Sequence, residues 1–148
     1  MTYWLFYCEL FTDTLFCMNQ FFAFSSGGAY NFQGSGEWKV RADDSGNLTV
    51  DHDLFGAVTS FGPYQLLPDE SASLWDLIAG AAFDQRNSSR GPGIPDETML
   101  GFALSAQETL LSVQLWASDA SADLTITRLI NKLTALIEKY TGKKPTLG

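Results

Sequence analysis

Strict alternation of apolar and charged side chains marks the segment EWKVRADDSGNLTVDHD at residues 37–53. Trp38, Val40 and Ala42 alternate with charged residues, and a similar alternation follows the DDSGN stretch. A period of two places the apolar side chains on one face of a strand. Asp, Ser, Gly and Asn are the residues that tight turns favour. The pattern therefore predicts a β-hairpin over about residues 37–52.

Apolar residues at helical spacing predict two helices. The first, at 69–83, begins with Asp69 and Glu70, whose negative charge suits a helix N-terminus. The second follows Ser121, its expected N-cap, and stops at Gly142. The apolar positions are Leu74, Leu77, Ile78 and Ala81 in the first helix, and Ile126, Leu129, Ile130, Leu133, Ile137 and Tyr140 in the second.

Further strands complete the predicted fold. A second hairpin is expected over 98–104 and 109–117. One or two strands are expected upstream of the first hairpin, and FGPY at 61–64 is interpreted as a turn. Hairpins separated by helices indicate an α+β fold, with an antiparallel sheet and two helices on one face, in β-β-α-β-β-α order. Residues 25–148 are assigned to this domain, and residues 1–24 to a separate aromatic-rich segment.

The segment 1–24 differs from the rest of the chain because it holds nine aromatic residues and both cysteines. Glu9 and Asp13 interrupt its apolar run, which disfavours a signal peptide and a membrane-spanning helix. A packed first element, an extension upstream of a native start at Met18, and membrane association stay open as alternatives. The two cysteines fit neither a disulfide scaffold nor a zinc pattern, so reduced thiols and a cytoplasmic location are expected.

The formal net charge of −8 for 148 residues argues against a nucleic-acid partner and an anionic membrane surface. It favours a basic protein partner or simply keeps the protein in solution. Phosphate-binding and nucleophile motifs are missing from the sequence. His52 is the only histidine, and alternation along a strand turns the neighbouring Asp51 and Asp53 to the opposite face. No catalytic residue, metal site or cofactor is predicted.

Three tryptophans form one candidate group. Trp38, Trp75 and Trp116 each fall in the periodic pattern of a predicted element, which favours core packing. The alternative is a pocket between sheet and helices that these aromatic side chains line, with a small molecule as its ligand or a minor enzymatic activity.

The segment SSRGPGIPDE at 88–97 forms the second candidate group. Its two prolines fix φ and stiffen the chain, which lowers the entropy that a recognition loop loses on binding. A rigid connector between helix and strand fits the same residues. The candidate binding residues are Arg90, Pro92, Ile94, Pro95 and Asp96.

SSGG at 25–28, then LLPDESASLWDLIAGAAF, a hairpin and a last amphipathic helix together resemble the emfourin family. Emfourins are small bacterial inhibitors of thermolysin-like metalloproteases, so the resemblance implies a protein-binding inhibitor. The chain departs from the family by an extra hairpin at 37–53 and by its aromatic N-terminus, and no inhibitory residue is carried over. The prediction is a non-enzymatic acidic binding module for a protein partner, such as a protease or toxin-like enzyme. A homodimer through a strand edge is a further expectation.

Overall fold

The computed structural model describes residues 20–27, 36–93, 97–106, 108–145 and 147 of the chain. The strands are β1 (Phe21–Gly27), β2 (Glu37–Asp43), β3 (Asn47–Leu54), β4 (Ala57–Gln65), β5 (Met99–Ala106) and β6 (Thr109–Trp116), and the helices are α1 (Pro68–Gly80), α2 (Ala117–Ser121) and α3 (Leu124–Thr141). The six strands form one sheet in the order β4-β3-β2-β1-β5-β6, and every neighbouring pair is antiparallel.

The α+β class and the antiparallel sheet are confirmed. Both predicted hairpins form, with β2 pairing with β3 and β5 pairing with β6. The helices α1 and α3 contact each other and share one apolar core with the sheet. The strand expected upstream of the first hairpin forms as β1, whereas the prediction lacks β4, the short helix α2 and a 3-10 turn at Phe83–Gln85.

Strand β1 lies in the middle of the sheet, between β2 and β5. Its Phe22 and Phe24 side chains are buried, and Phe24 packs against Phe102 of β5. The sequence-based boundary at residue 24 therefore falls inside a core strand, because the last four residues of the aromatic-rich segment belong to β1, and two of them supply core side chains. Residues 1–19 lie outside the described part of the chain.

The turn predicted at 61–64 is wrong, because these residues lie within the edge strand β4. Gly62 adopts a φ of +94°, which glycine tolerates, and the pairing of β4 with β3 shifts register between Leu48 and Val50. Pairing resumes at Tyr64, opposite Leu48. The Gly-Pro pair thus produces an irregularity in an edge strand, where the missing N–H of proline is tolerated.

Helix α3 begins later than the sequence suggests. Its N-cap is Asp123, not Ser121, and one Asp123 carboxylate oxygen accepts hydrogen bonds from the backbone N–H groups of Thr125 (3.0 Å) and Ile126 (3.2 Å). The Ser121 hydroxyl instead donates to the carbonyl oxygen of Ser118 within α2. Ser121 and Asp123 are both residue types that favour an N-cap. Ser121 is already part of the short helix α2, so Asp123 caps α3. The predicted end of α3 is confirmed, with Gly142 as a left-handed C-cap.

Candidate binding surface

The two faces of the sheet are in very different environments. Trp38, Val40 and Ala42 of β2 are buried against the core that α1 and α3 complete, whereas Lys39 and Arg41, which alternate with them, are exposed. We call these the helix-covered face and the open face. On the open face, Lys39, Arg41, Ser112 and Gln114 are exposed.

A shallow groove of about 280 Å³ crosses the centre of the open face. Its floor consists of Ala23 and Ser25 on β1 and of Gly101 and Ala103 on β5, which pair across the two strands as Ala23 with Ala103 and Ser25 with Gly101. A Cβ atom at Gly101 would lie 2.7 Å from the Ser25 hydroxyl oxygen, so glycine keeps the floor low at this position. The groove exists because small residues occupy one face of both central strands.

The two walls of the groove differ in charge. Lys39 and Arg41 of β2 form one wall, and Ser112 and Gln114 of β6 form the other. The Lys39 ammonium lies 4.0 Å from a Glu37 carboxylate oxygen, and the Arg41 guanidinium lies 5.9 Å from the centre of the Phe21 ring. Asp51 also lines the groove and pairs across the strands with Lys39. An uncharged floor therefore lies between a charged wall, which contains Lys39, Arg41 and Asp51, and a neutral polar wall.

The first residues of the 88–97 loop run alongside the free edge of β6. The backbone N–H of Ser89 donates to the Gln114 carbonyl oxygen (2.8 Å), and the Gln114 N–H donates to the Ser88 hydroxyl (3.0 Å). The N–H of Trp116 donates to the Ser89 hydroxyl (3.1 Å). The loop thus satisfies backbone groups that an edge strand would otherwise expose, which is a connector role.

The next residues of this loop pack on Trp116, which alternation places on the open face. The Trp116 indole N–H donates to the Gly91 carbonyl oxygen (3.2 Å), and Gly93 lies so close to the indole that a Cβ atom would be 2.7 Å from it. Arg90 and Pro92 are exposed beside this contact, near the Gln114 end of the groove. The other candidate residues of the loop, Ile94, Pro95 and Asp96, lie outside the described residues.

The three candidate tryptophans are not brought together. Trp38 is buried on the helix-covered face, with its ring stacked on His52 at 3.9 Å between centres. Trp75 of α1 donates its indole N–H to the Asp43 carbonyl oxygen (3.2 Å), at the other end of β2 and roughly 17 Å along the strand from Trp38. Trp116 lies on the opposite side of the sheet.

His52 and its two acidic neighbours lie on opposite faces, as alternation predicts. His52 pairs with Trp38 across β2 and β3, whereas Asp51 lines the open-face groove. The Asp53 carboxylate accepts a hydrogen bond from the Gly56 N–H (2.8 Å) in the following turn. Within the described ranges, no group of three His, Cys, Asp or Glu side chains is placed to hold a metal ion.

Glu70 connects the start of α1 with the end of α3. Its carboxylate accepts hydrogen bonds from the Lys139 ammonium (2.6 Å), the Tyr140 hydroxyl and the Leu67 backbone N–H (3.0 Å). Burial by itself raises the pKa of Glu70, but these hydrogen bonds outweigh burial and lower the pKa from 4.5 to about 2. A charge held this firmly stabilises the packing of the two helices.

Asp123 has a comparable structural role. A hydrogen bond from Arg86 lowers the pKa of Asp123, against the opposing effect of burial, and the Arg86 Nε–H also donates to the Ala81 carbonyl oxygen (2.8 Å). This ion pair connects the segment after α1 to the N-cap of α3. Glu70 and Asp123, the two carboxylates with perturbed pKa values, therefore belong to the helical layer and do not line the groove.

The sequence analysis missed the groove, although a signal for it exists. In FAFSSG and LGFALS, large side chains alternate with Ala, Ser or Gly, so that one face of each strand is small. What the alternation alone does not reveal is that these two segments are neighbours in the sheet.

None of the described helices is both long enough and apolar enough to span a membrane. Neither the family models nor the curated proteins contain a match to this chain.

Proposed function

We propose that this chain is a non-enzymatic binding module that holds a segment of a protein partner in the groove of its open face. The observation that carries the proposal is the groove itself, a low floor two strands wide between Lys39 and Arg41 on one side and Ser112 and Gln114 on the other. Its volume of about 280 Å³ lies just below the range of roughly 300–1,000 Å³ for small-molecule pockets, which enclose most of a ligand. An open trough suits a few side chains of an extended segment better.

The charges of the chain support a partner that is basic overall and that carries a carboxylate on the bound segment. A carboxylate on the bound segment would pair with Lys39 or Arg41 at the charged wall. The net charge of −8 attracts a partner that is basic overall. Arg90 and Pro92, exposed near the Gln114 end of the groove, would add contacts, as would Ile94, Pro95 and Asp96 of the same loop.

The partner proposed first is a protease, because of the resemblance to the emfourin family. A thermolysin-like metalloprotease is the class that this resemblance implies, and a toxin-like enzyme is the second class. A cytoplasmic location, expected from the sequence, is part of the same proposal.

The test fills the groove without touching the core. Ala103→Leu places a larger side chain on the groove floor, and Ser105→Leu places the same side chain on the same strand face outside the groove lining. We expect Ala103→Leu to weaken binding to a thermolysin-like metalloprotease at least tenfold by calorimetry, and Ser105→Leu to change it less than twofold. Circular dichroism of both variants controls for folding.

If the wild-type chain does not bind the protease, the same two variants are compared in affinity purification from the native host. A protein that is recovered with the wild type and Ser105→Leu, but not with Ala103→Leu, identifies the partner. If Ala103→Leu retains every partner of the wild type, the groove is not the binding surface.

The alternative function, binding of a small molecule, rests on the same groove, because the tryptophans do not form one pocket. Its volume is close to the lower limit for ligand sites. A metabolite that raises the melting temperature of the wild type but not of Ala103→Leu would favour this alternative.

We also propose that copies of the chain associate through an exposed strand edge. Light scattering at several protein concentrations tests this association, since a mass that stays at that of one chain at all concentrations excludes it.

A further inference from the structure

The two edges of the sheet are not equally protected. At β6, Ser88 and Ser89 form hydrogen bonds with the backbone of Gln114 and Trp116 and cover that end of the strand. At β4, the side chains of residues 57–60 are all exposed. The β4 sequence AVTSFGPYQ also contains no charged residue, in a chain with 26 charged Lys, Arg, Asp and Glu side chains (nine basic and seventeen acidic).

The turn before β4 adds apolar surface. Phe55 is 85% exposed and Val58 is 59% exposed, with the half-exposed Leu54 beside them. Natural edge strands are usually protected by lysines, inward-pointing charges or covering loops. We define the β4 edge as residues 54–61. Among the described residues, none of these protections is present over the run 57–61, which an interface would require.

We propose that this edge pairs with the same edge of a second copy of the chain. The two strands are antiparallel, and the two-fold axis passes through Thr59. This assignment rests on the proposed self-association. The run 57–61 is preceded by the turn at Phe55 and Gly56. It is followed by Gly62 and by Pro63, which has no N–H to donate. A two-fold axis at its centre uses all five residues. Ala57 then lies opposite Phe61 of the second copy, and exposed Phe55 lies opposite its exposed Pro63.

Electrostatics permits this pairing despite the net charge of −8. The nearest carboxylates are on β3, where Asp51 pairs with Ser60 and Asp53 pairs with Val58. In the proposed dimer, Val58 lies opposite Ser60 of the second copy, so carboxylates of the two copies are three strand spacings apart, about 14 Å. This distance exceeds the Debye length of about 8 Å at physiological salt, and the repulsion is largely screened.

A second copy fits this edge better than an unrelated chain does. A two-fold interface requires a self-complementary patch, and an uncharged edge presents no like charges across the axis. The strand β4 itself offers a basic partner no carboxylate. Because a ladder of five residues is short compared with stable dimer interfaces, we expect a dissociation constant in the micromolar range or weaker, and a mass that depends on concentration.

The first experiment compares one added lysine on each edge by light scattering over a concentration series. Val58→Lys changes the proposed interface, and Leu110→Lys changes an exposed apolar residue on the opposite edge strand. We expect the wild type and Leu110→Lys to form dimers, and Val58→Lys to weaken dimerisation about tenfold or more. A wild type that stays monomeric removes the self-association itself. Dimers that are insensitive to Val58→Lys but lost in Leu110→Lys assign the interface to the wrong edge.

The second experiment tests the register. In a background of Cys8→Ser and Cys17→Ser, Thr59→Cys brings two thiols together at the axis, where opposite Cα atoms are about 4.5–5.5 Å apart and within disulfide range. Ser112→Cys, exposed on β6, is the matched control. We expect a covalent dimer of Thr59→Cys under mild oxidation and none of Ser112→Cys. Cross-linking at position 112 alone would overturn the proposed edge, and cross-linking at neither position in a protein that dimerises would overturn the register.

Discussion

The hydrogen bonds around Glu70 allow a quantitative prediction of stability. The variant is Glu70→Gln, which removes the charge but keeps an oxygen that can accept from the Leu67 N–H and the Tyr140 hydroxyl. The matched control is Asp69→Asn, which removes a carboxylate from the adjacent exposed position of the same first helical turn. Any difference between the variants therefore reflects the partners of Glu70 and not the helix dipole alone.

The size of the effect follows from the pKa of Glu70. A tenfold change in a protonation equilibrium corresponds to about 1.36 kcal/mol, so a pKa lowered from 4.5 to about 2 sets an upper bound of about 3.4 kcal/mol. The Glu70 side chain is 15% exposed, but the Lys139 side chain is 51% exposed, and solvent screens their attraction. We therefore expect Glu70→Gln to lower the free energy of unfolding at pH 7 by about 1–2 kcal/mol. Asp69→Asn should lower it by less than about 0.5 kcal/mol.

The assay is urea denaturation of the wild type and both variants between pH 7 and pH 2. Because the pKa of Glu70 is lower in the folded state than in the unfolded state, its stabilisation is complete above about pH 4.5 and is lost as the pH falls towards about 2. The difference between the wild type and Glu70→Gln should be constant from pH 7 to pH 5. It should then shrink as the carboxylate becomes protonated.

Two results would refute this reasoning. A difference of the same size at pH 2 and pH 7 would show that the amide fails for steric reasons and not because the charge is lost. Equal losses in Glu70→Gln and Asp69→Asn would show that the helix N-terminus, not the contact with α3, determines the effect.

Two further predictions concern single backbone positions. Phe55 has a φ of +53°, which favours Asn or Gly in a hairpin turn before Gly56, and its side chain is mostly exposed. Phe55→Asn should therefore raise the free energy of unfolding by about 1 kcal/mol. Unchanged or lower stability in urea denaturation would contradict this prediction. At Gly93, a Cβ atom would clash with the Trp116 ring. Gly93→Ala should therefore lower the free energy of unfolding by about 1 kcal/mol and change the tryptophan emission spectrum. The control is Gly80→Ala, where a Cβ atom meets open space, and it should produce neither change.

The sequence predicts those elements whose periodicity is long and regular. The hairpin of β2 and β3 and the helix α3 are examples, because each repeats its pattern over many residues. Strand β4 was not predicted, because Gly62 and Pro63 normally indicate a turn and the exposed edge strand lacks an alternating pattern. The N-cap of α3 was misplaced because Ser121 and Asp123 are both good caps, and only the three-dimensional packing of α2 selects Asp123.

The candidate surface could be predicted only in part. The loop at 88–97 was recognised from its prolines and glycines, but its hydrogen bonds to β6 depend on which strand forms the edge. The groove depends on β1 lying beside β5, although the two are more than seventy residues apart in sequence. Residue types at alternate positions indicate which side chains share a face, whereas the order of strands is determined by packing of the whole chain.

The most direct measurement of the central claim is a map of amide chemical-shift changes in the labelled protein when its partner is added. The partner to be added is the proposed thermolysin-like metalloprotease, or the protein that the wild type binds and Ala103→Leu does not. Binding on the open face predicts that the largest changes lie at Ala23, Ser25, Gly101 and Ala103, with little change along α1 and α3. Changes confined to α1 and α3, with β1 and β5 unaffected, would contradict the claim.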